Sequence, residues 1–415
     1  MVSLTDLQKQ TIELLNPWVR GKELELGIIR TNYLVPIDEV VKKSKQFLFI
    51  LGSRRLGKTT IIFQYIDQLI NEGVDPKKIL FLSLDNTNLA QLDIYGLLAS
   101  EKYKYVFLDE VHYLEDWARI LKSLYDIPGY KTRIVASGSS SKAIEDNEAY
   151  LTGRSRKIMV LPLSYLEFGE FDKTDNQLQN YLFYGGYPEH VSEKNPNYLN
   201  ELLRDVVEKD IVKMHRVRSG QNLIEVLQIL AKQVGHAGSA NKISKVLGLD
   251  NKTTLNFVEY LCEVQLISPV FQYAKKLNER LYAPKKYYFQ DLGMRNSLVG
   301  NVDIGAIVEN AVFLKLKETY GTENVFYGAT TRGEEIDFVV KVGVGQIILV
   351  ESKYINLQTS VLNKLANSFW SEKWDSQVVA RIVVTDGVKG VVEQGGVKAT
   401  LVGLENFLTH LSIRA

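Results

Sequence analysis

One short run near the start of the chain has the residue types and spacing of a phosphate site. Gly52-Ser53-Arg54-Arg55-Leu56-Gly57-Lys58-Thr59, followed by Thr60, fits G-x-x-x-x-G-K-[ST]. Gly52 and Gly57 let the backbone turn so that successive N–H groups point inward. A helix starting near Lys58 would add the positive end of its dipole. Lys58 would then reach the β- and γ-phosphates of ATP, and the Thr59 hydroxyl would bind Mg²⁺. Such a loop needs an acidic partner, and Tyr105-Val106-Phe107-Leu108-Asp109-Glu110 supplies an apolar strand ending in two acids. Asp109 would hold the magnesium. Glu110 would polarise the attacking water, which implies hydrolysis rather than nucleotide holding alone. In Ser137-Gly138-Ser139-Ser140-Ser141, Ser139 and then Ser137 are the candidates to meet the γ-phosphate or the water; a plain polar loop is the alternative. Arg154, in Leu151-Thr152-Gly153-Arg154, is placed to stabilise transition-state charge on a neighbour's nucleotide. That role implies a homo-oligomer; a plain surface arginine is the alternative.

A second constellation lies late in the chain. Glu309 falls on a helical stretch, Asp337 on an apolar strand, and Glu351-Ser352-Lys353 at the end of the next strand. Residues two apart on a strand share a face. Glu351 and Lys353 therefore point together, toward an acid on the neighbouring strand. Three carboxylates would hold a hard cation through oxygen. The metal would stabilise the charge of phosphodiester cleavage, and Lys353 would orient or activate the water. Glu334 and Glu335, beside Asp337, read as solvated spare acids. An inert fold with these residues in salt bridges is the alternative.

The elements that must position these residues follow from the apolar pattern. Continuous apolar runs at 47–51, 79–82, 106–108, 134–136 and 158–161 suit strands buried on both faces of a parallel sheet. Amphipathic stretches at 60–70 and 117–125 lie between them, so the class is α/β. The pattern turns helical from about 178 to 217, with an interruption at Gly185-Gly186-Tyr187-Pro188. A second α/β pattern runs from about Ile304 to near Ile413.

Between the two lies a helix-turn-helix pattern. Residues 223–234 form one amphipathic helix, Ser239 caps 243–247, and Asp250 caps 253–264. Strands at 267–273 and 281–289 would form a wing. Asn251, Lys252, Thr253 and Thr254 would then enter the major groove of DNA. Lys242 and Lys245, with Lys275, Lys276 and Arg280 at the wing tip, would touch phosphate. Lys209, Lys213, His215, Arg216 and Arg218 form a further basic segment that would track a nucleic-acid backbone. A solvated helix face and a winged helix used only for assembly are the alternatives.

Composition limits these readings. Among 415 residues, 50 Lys and Arg nearly cancel 49 Asp and Glu, for a formal charge of +1. A uniformly cationic nucleic-acid binder is excluded, and DNA contact must use local patches. The only cysteine, Cys262, excludes an internal disulfide and reads as a buried structural thiol. No apolar run approaches the roughly 20 residues that span a bilayer. The expectation is a soluble, cytoplasmic protein with no membrane partner.

The chain resembles the AAA+ ATPases of archaea and bacteria that carry a C-terminal PD-(D/E)XK nuclease-like domain. The likeness rests on Gly52 to Thr60, Asp109-Glu110-Val111-His112-Tyr113-Leu114, the serine cluster, Leu151 to Arg154, Gly185-Gly186-Tyr187-Pro188 and the late acidic pattern. It implies a P-loop NTPase (AAA+/ASCE) parallel sheet over 1–170, a helical lid over 171–220, a winged helix over 221–290 and a restriction-endonuclease-like α/β domain over 291–415. It also implies that Pro188 packs near the adenine; a tight turn is the alternative. The whole reads as an ATPase acting on DNA. The reading from another class is a nucleotide-regulated switch for protein partners with an inert C-terminal fold.

Overall fold

The computed structural model describes residues 4–139, 148–274, 276–300, 303–329, 335–354, 375–394 and 397–410. Ser140, Ser141, Lys275, Glu334 and Ile413 lie outside the described residues. The chain divides into two compact units, Met1–Leu161 and Pro162–Ala415.

The first unit is built on five parallel strands: β1 (Phe47–Leu51), β2 (Ile79–Ser83), β3 (Tyr105–Asp109), β4 (Arg133–Gly138) and β5 (Ser155–Met159). Their order is β2-β3-β4-β1-β5. β1 through β4 are buried over most of their length, as their unbroken apolar runs require. β5 starts at Ser155, three residues before the expected apolar run. It is an edge strand with Arg156 and Lys157 exposed, so its pattern carries no continuous apolar signal. The helix Lys58–Asn71 buries Ile61, Ile62, Tyr65, Ile66 and Leu69 in an i, i+3, i+4 stripe. Because β4 stands between β1 and β3, its serines emerge between the phosphate loop and the acids that end β3.

The second unit begins with short helices, Tyr165–Phe171, Gln177–Tyr184, Pro188–Glu193 and Tyr198–Asp205, the last continuing as a π-helical stretch Val206–Val212. The helices Gly220–Lys232, Ala240–Leu247 and Asn251–Glu263 follow. Asp250 caps the third, accepting from the Thr253 N–H at 2.8 Å. Ser239 occupies the N-cap position of the second but makes no side-chain cap bond.

Then come β6 (Ile267–Gln272), β7 (Lys286–Phe289), β8 (Val325–Ala329), β9 (Glu335–Gly343), β10 (Gln346–Lys353), β11 (Val378–Thr385), β12 (Gly390–Gln394) and β13 (Val397–Gly403). They form one mixed sheet in the order β12-β13-β11-β10-β9-β8-β6-β7. The expected second wing strand, 281–289, is corrected: Leu277–Tyr282 is a helix and only Lys286–Phe289 is strand. Leu277 and Leu281 have helical spacing, and Pro284 forces Ala283 extended, at φ −63° and ψ 147°. Arg280 is thus helical rather than at a wing tip. β6 pairs antiparallel with β7 and parallel with β8, so the expected wing extends the C-terminal sheet.

The helix Ile304–Tyr320 carries Glu309 and packs against β9 and β10. No described helix is long and apolar enough to cross a membrane.

Candidate functional site

The phosphate loop leaves β1 at Gly52, where no side chain fits: a Cβ there would lie 2.5 Å from the Val160 carbonyl oxygen. Gly57 takes a left-handed φ of +82° at the N-cap of the helix Lys58–Asn71, and Arg55 is also left-handed at +60°. The Lys58 ammonium is buried and donates to the carbonyls of Gly52 and Ser53 at 3.0 and 2.9 Å. Sequence reasoning missed the residue that braces this loop from behind. Arg30, only 4% exposed, donates to the carbonyls of Leu56 and Leu161 at 3.0 Å each. No motif pointed to it, because it acts on backbone.

The Thr59 hydroxyl donates to Asp109 Oδ2 at 2.7 Å, joining the loop to the end of β3. These are two oxygen donors of the kind Mg²⁺ takes. The Ser137 hydroxyl donates to the other Asp109 oxygen and accepts from the Glu110 N–H at 3.1 Å. Ser137 is therefore engaged in holding the two acids. Burial pushes the Asp109 carboxyl above its usual range, against the bonds from Ser137 and Thr59.

Glu110 adopts a left-handed φ of +52°, a strained conformation for a non-glycine residue. Its Oε2 accepts from the Ser139 N–H at 3.3 Å and lies 3.3 Å from His112 Nδ1. The Ser139 hydroxyl is buried without a hydrogen-bond partner among the described residues. Thr60 lies in the first turn of the helix that Gly57 caps.

Arg154 sits at the opposite end of the sheet from the phosphate loop. Its carbonyl accepts from the N–H of Phe47, the first residue of β1. Its guanidinium pairs with Asp126 at 3.2 Å. It does not join the loop of its own chain. Pro188 belongs to the second unit, where it opens the helix Pro188–Glu193, a position at which its missing N–H costs nothing.

The second constellation does assemble, with additions. Lys353 reaches Glu351 at 2.8 Å and Asp337 at 3.5 Å. Asp337 Oδ2 also accepts from the Ser352 N–H and hydroxyl at 2.8 and 3.0 Å. Glu309 Oε1 instead accepts from the Tyr288 hydroxyl at 2.6 Å and lies 3.4 Å from Lys286. Among the described residues no three His, Cys, Asp or Glu side chains form a group that could hold a metal ion. Of the three expected ligands, Asp337 and Glu351 meet at Lys353, while Glu309 is bonded to Tyr288 and lies against Lys286. Glu335 is exposed, as expected, and also pairs with Lys286.

Asp337 and Glu351 still suit a cation. Glu351 is 2% exposed, and its Oε1 has no hydrogen-bond partner among the described residues. Burial, and then the Asp337 charge, push its carboxyl up to about 8. Burial alone would lower the Lys353 ammonium, but Asp337 and Glu351 raise it above its ordinary value.

The residues expected on DNA divide. Asn251, Lys252, Lys242 and Lys245 are exposed. Thr254 is fully buried with its hydroxyl on the Asp250 carbonyl, because it shares the inner face with Phe257, Val258 and Leu261. It does not reach a groove. His215 is 3.0 Å from Glu263 and stacks on Tyr260 at 3.7 Å, so it faces protein. Lys209 pairs with Asp205 and Lys276 with Glu279.

Comparison with known proteins agrees with the geometry of the first unit. Residues 44–169 match the family described as AAA domain. This segment is an AAA-type P-loop NTPase domain. Residues 175–304 and 304–403 match two domains of unknown function, DUF8612 and DUF4143. An uncharacterized protein of Haemophilus influenzae is 27% identical over 342 residues, 76% of this chain and 84% of that one. An uncharacterized protein of Methanocaldococcus jannaschii is 28% identical over 323 residues, 70% and 71% of the two chains. Among solved structures, AMPPCP-bound DnaA from Aquifex aeolicus aligns at TM-score 0.31 and 13% identity, over 57% of this chain and 89% of that one. The S. cerevisiae Hsp104-ADP complex aligns at 0.34 and 16%, over 60% and 40%. At TM-scores this low, nothing about the chain rests on either likeness.

Proposed function

We propose that the chain is an Mg-ATP-hydrolysing AAA+ ATPase that acts on DNA. The observation that carries this reading is the 2.7 Å bond from Thr59 to Asp109, with Glu110 and the Ser139 hydroxyl beside it. Lys58 would leave the Gly52 and Ser53 carbonyls for the phosphates. Thr59 and Asp109 would hold Mg²⁺, which supplies charge neutralisation between the phosphates when bound. Glu110 would orient the attacking water from a carboxylate steadied by the Ser139 N–H. Arg154 would act on the nucleotide of a second copy, since it stands at the far end of its own sheet. The exposed Lys242, Lys245, Asn251 and Lys252 would engage DNA, and the C-terminal cluster would cut or grip it. For cutting, Asp337 and Glu351 would hold the metal and Lys353 would orient water.

Lys58→Ala should abolish ATP hydrolysis in a phosphate-release assay; hydrolysis at the wild-type rate would remove the motor reading. A gel on the same samples, with linear, branched and single-stranded DNA, tests cleavage.

A second reading has its own support. The pairing of Glu309, Asp337 and Glu351 with lysines favours an inert C-terminal fold, and with it a nucleotide-regulated switch for protein partners. Wild-type ATP hydrolysis without cleavage or DNA affinity would favour that switch.

A further inference from the structure

Lys286 is fully buried, which a lysine almost never is without a specific partner. Among the described residues it has two: Glu309 at 3.4 Å and Glu335. Burying one ammonium costs several kcal/mol in real proteins, so its place demands matching negative charge. The surroundings supply more than a match. Four carboxylates, Glu309, Glu335, Asp337 and Glu351, face two ammoniums, Lys286 and Lys353. Glu335 is exposed and met by water, so among the described residues three shielded acids, Glu309, Asp337 and Glu351, stand against two ammoniums; with all three ionised, as metal coordination requires, one negative charge is in excess. One divalent cation covers that excess, and a second would add two further uncompensated positive charges.

The geometry says where the unbalanced charge lies. Glu309 is held by Lys286 and the Tyr288 hydroxyl, and its second oxygen backs onto Gly235, where a Cβ would come within 2.5 Å of it. Among the described residues of this cluster, the unpartnered buried oxygen is Glu351 Oε1, and the Asp337 charge acts on that carboxyl. Two carboxylates with water completing the shell are an ordinary Mg²⁺ set.

We infer that Lys286 is a resident cation of this cluster: it holds Glu309 out of coordination, so that Asp337 and Glu351 take a single divalent ion. The inference rests on the metal reading of the C-terminal cluster proposed above. Lys286 is a positioning residue, since it acts through Glu309.

The test counts ions. Full-length chain carrying Asp109→Asn, which removes the other carboxylate expected to hold a metal, is titrated with Mn²⁺ and followed by electron paramagnetic resonance. One saturable ion per chain is expected. Glu351→Gln should abolish it, while Glu309→Gln should leave the count at one. Lys286→Met should raise the count to two, and Lys286→Arg should restore one. Circular dichroism checks the fold of each variant, and the Glu309→Gln arm stands even if Lys286→Met does not fold. Two ions in the parent chain, loss of the ion in Glu309→Gln, or a count still at one in a folded Lys286→Met would overturn the inference. If the parent binds none and Lys286→Met gains one, Lys286 keeps its role and the metal reading fails. If neither binds, both fail.

Discussion

Ser137 shows how one hydroxyl can govern two acids. It donates to Asp109 and accepts from the N–H of Glu110, whose backbone is in a left-handed conformation. Ser137→Ala would free Asp109 and relax the turn that aims Glu110. A hydrogen bond to a charged group contributes about 1.5–3 kcal/mol, or roughly ten- to a hundred-fold in rate. The expected result is that kcat for ATP falls by about that factor while KM moves less, as steady-state kinetics would read. The grouping of Lys58, Thr59, Asp109 and Glu110 was legible because phosphate-loop chemistry dictates type and spacing, and the fold brings Thr59 onto Asp109. Arg30 and Lys286 were not. Each is an ordinary basic residue in sequence, and only the fold brings it to carbonyls or carboxylates far away in the chain. Ser137, the second candidate after Ser139 for the γ-phosphate or the water, donates to Asp109 in the fold.

Among the elements, the Gly185-Gly186 turn and the helix Leu292–Val299 are joined by Asp291. Its carboxylate accepts from the Gly186 N–H at 2.5 Å and caps the helix through the Met294 N–H at 2.7 Å. The approach is close: a Cβ on Gly293 would lie 2.0 Å from the Tyr184 carbonyl oxygen. Gly293→Ala must push two backbones apart, and the cost should be on the order of 3 kcal/mol, seen as a lowered midpoint in urea unfolding.

The same junction carries a pH signature. Burial pushes Asp291 from 3.8 up to about 6, against the bonds from Gly186, Met294 and Gly293. The folded state therefore holds the proton more tightly than the unfolded chain. This contribution is fully present below 3.8 and is lost as pH rises through about 6. It amounts to roughly 3 kcal/mol at most. Asp291→Asn should flatten the fall in stability between those two pH values, as urea midpoints across the range would show. The sequence marked Gly185-Gly186-Tyr187-Pro188 as special, but not Asp291, since a lone acid before a helix looks like any N-cap. The parallel strands of the first unit were legible from unbroken apolar runs. The wing was misread because Leu281 and Tyr282 suit a strand as well as the end of a helix.

For the whole molecule, the near-balance of 50 basic and 49 acidic residues is an average over separated groups. Acids converge at the end of β3 and around Asp337, while Lys242, Lys245 and Lys252 are exposed on adjacent helices. If those three lysines contact phosphate, the logarithm of DNA affinity should fall with the logarithm of salt at a slope of about −3. Fluorescence anisotropy would measure it. Replacing all three with alanine should bring the slope toward zero without changing ATP hydrolysis in the absence of DNA. A wild-type chain with no affinity at low salt would count against DNA as the partner.

The double pairing of β6 also limits how the chain can be divided. A cut between residues 290 and 291 would leave β8 with a bare hydrogen-bonding edge, open to the edge of another molecule. A fragment beginning at 291 would tend to self-associate, and its inactivity would say nothing about the acidic cluster. It would also lack Lys286 and Tyr288, the two residues that hold Glu309. The smallest piece with an intact sheet begins ahead of Ile267, and only such a piece keeps the acidic cluster together with the strand that carries Lys286 and Tyr288.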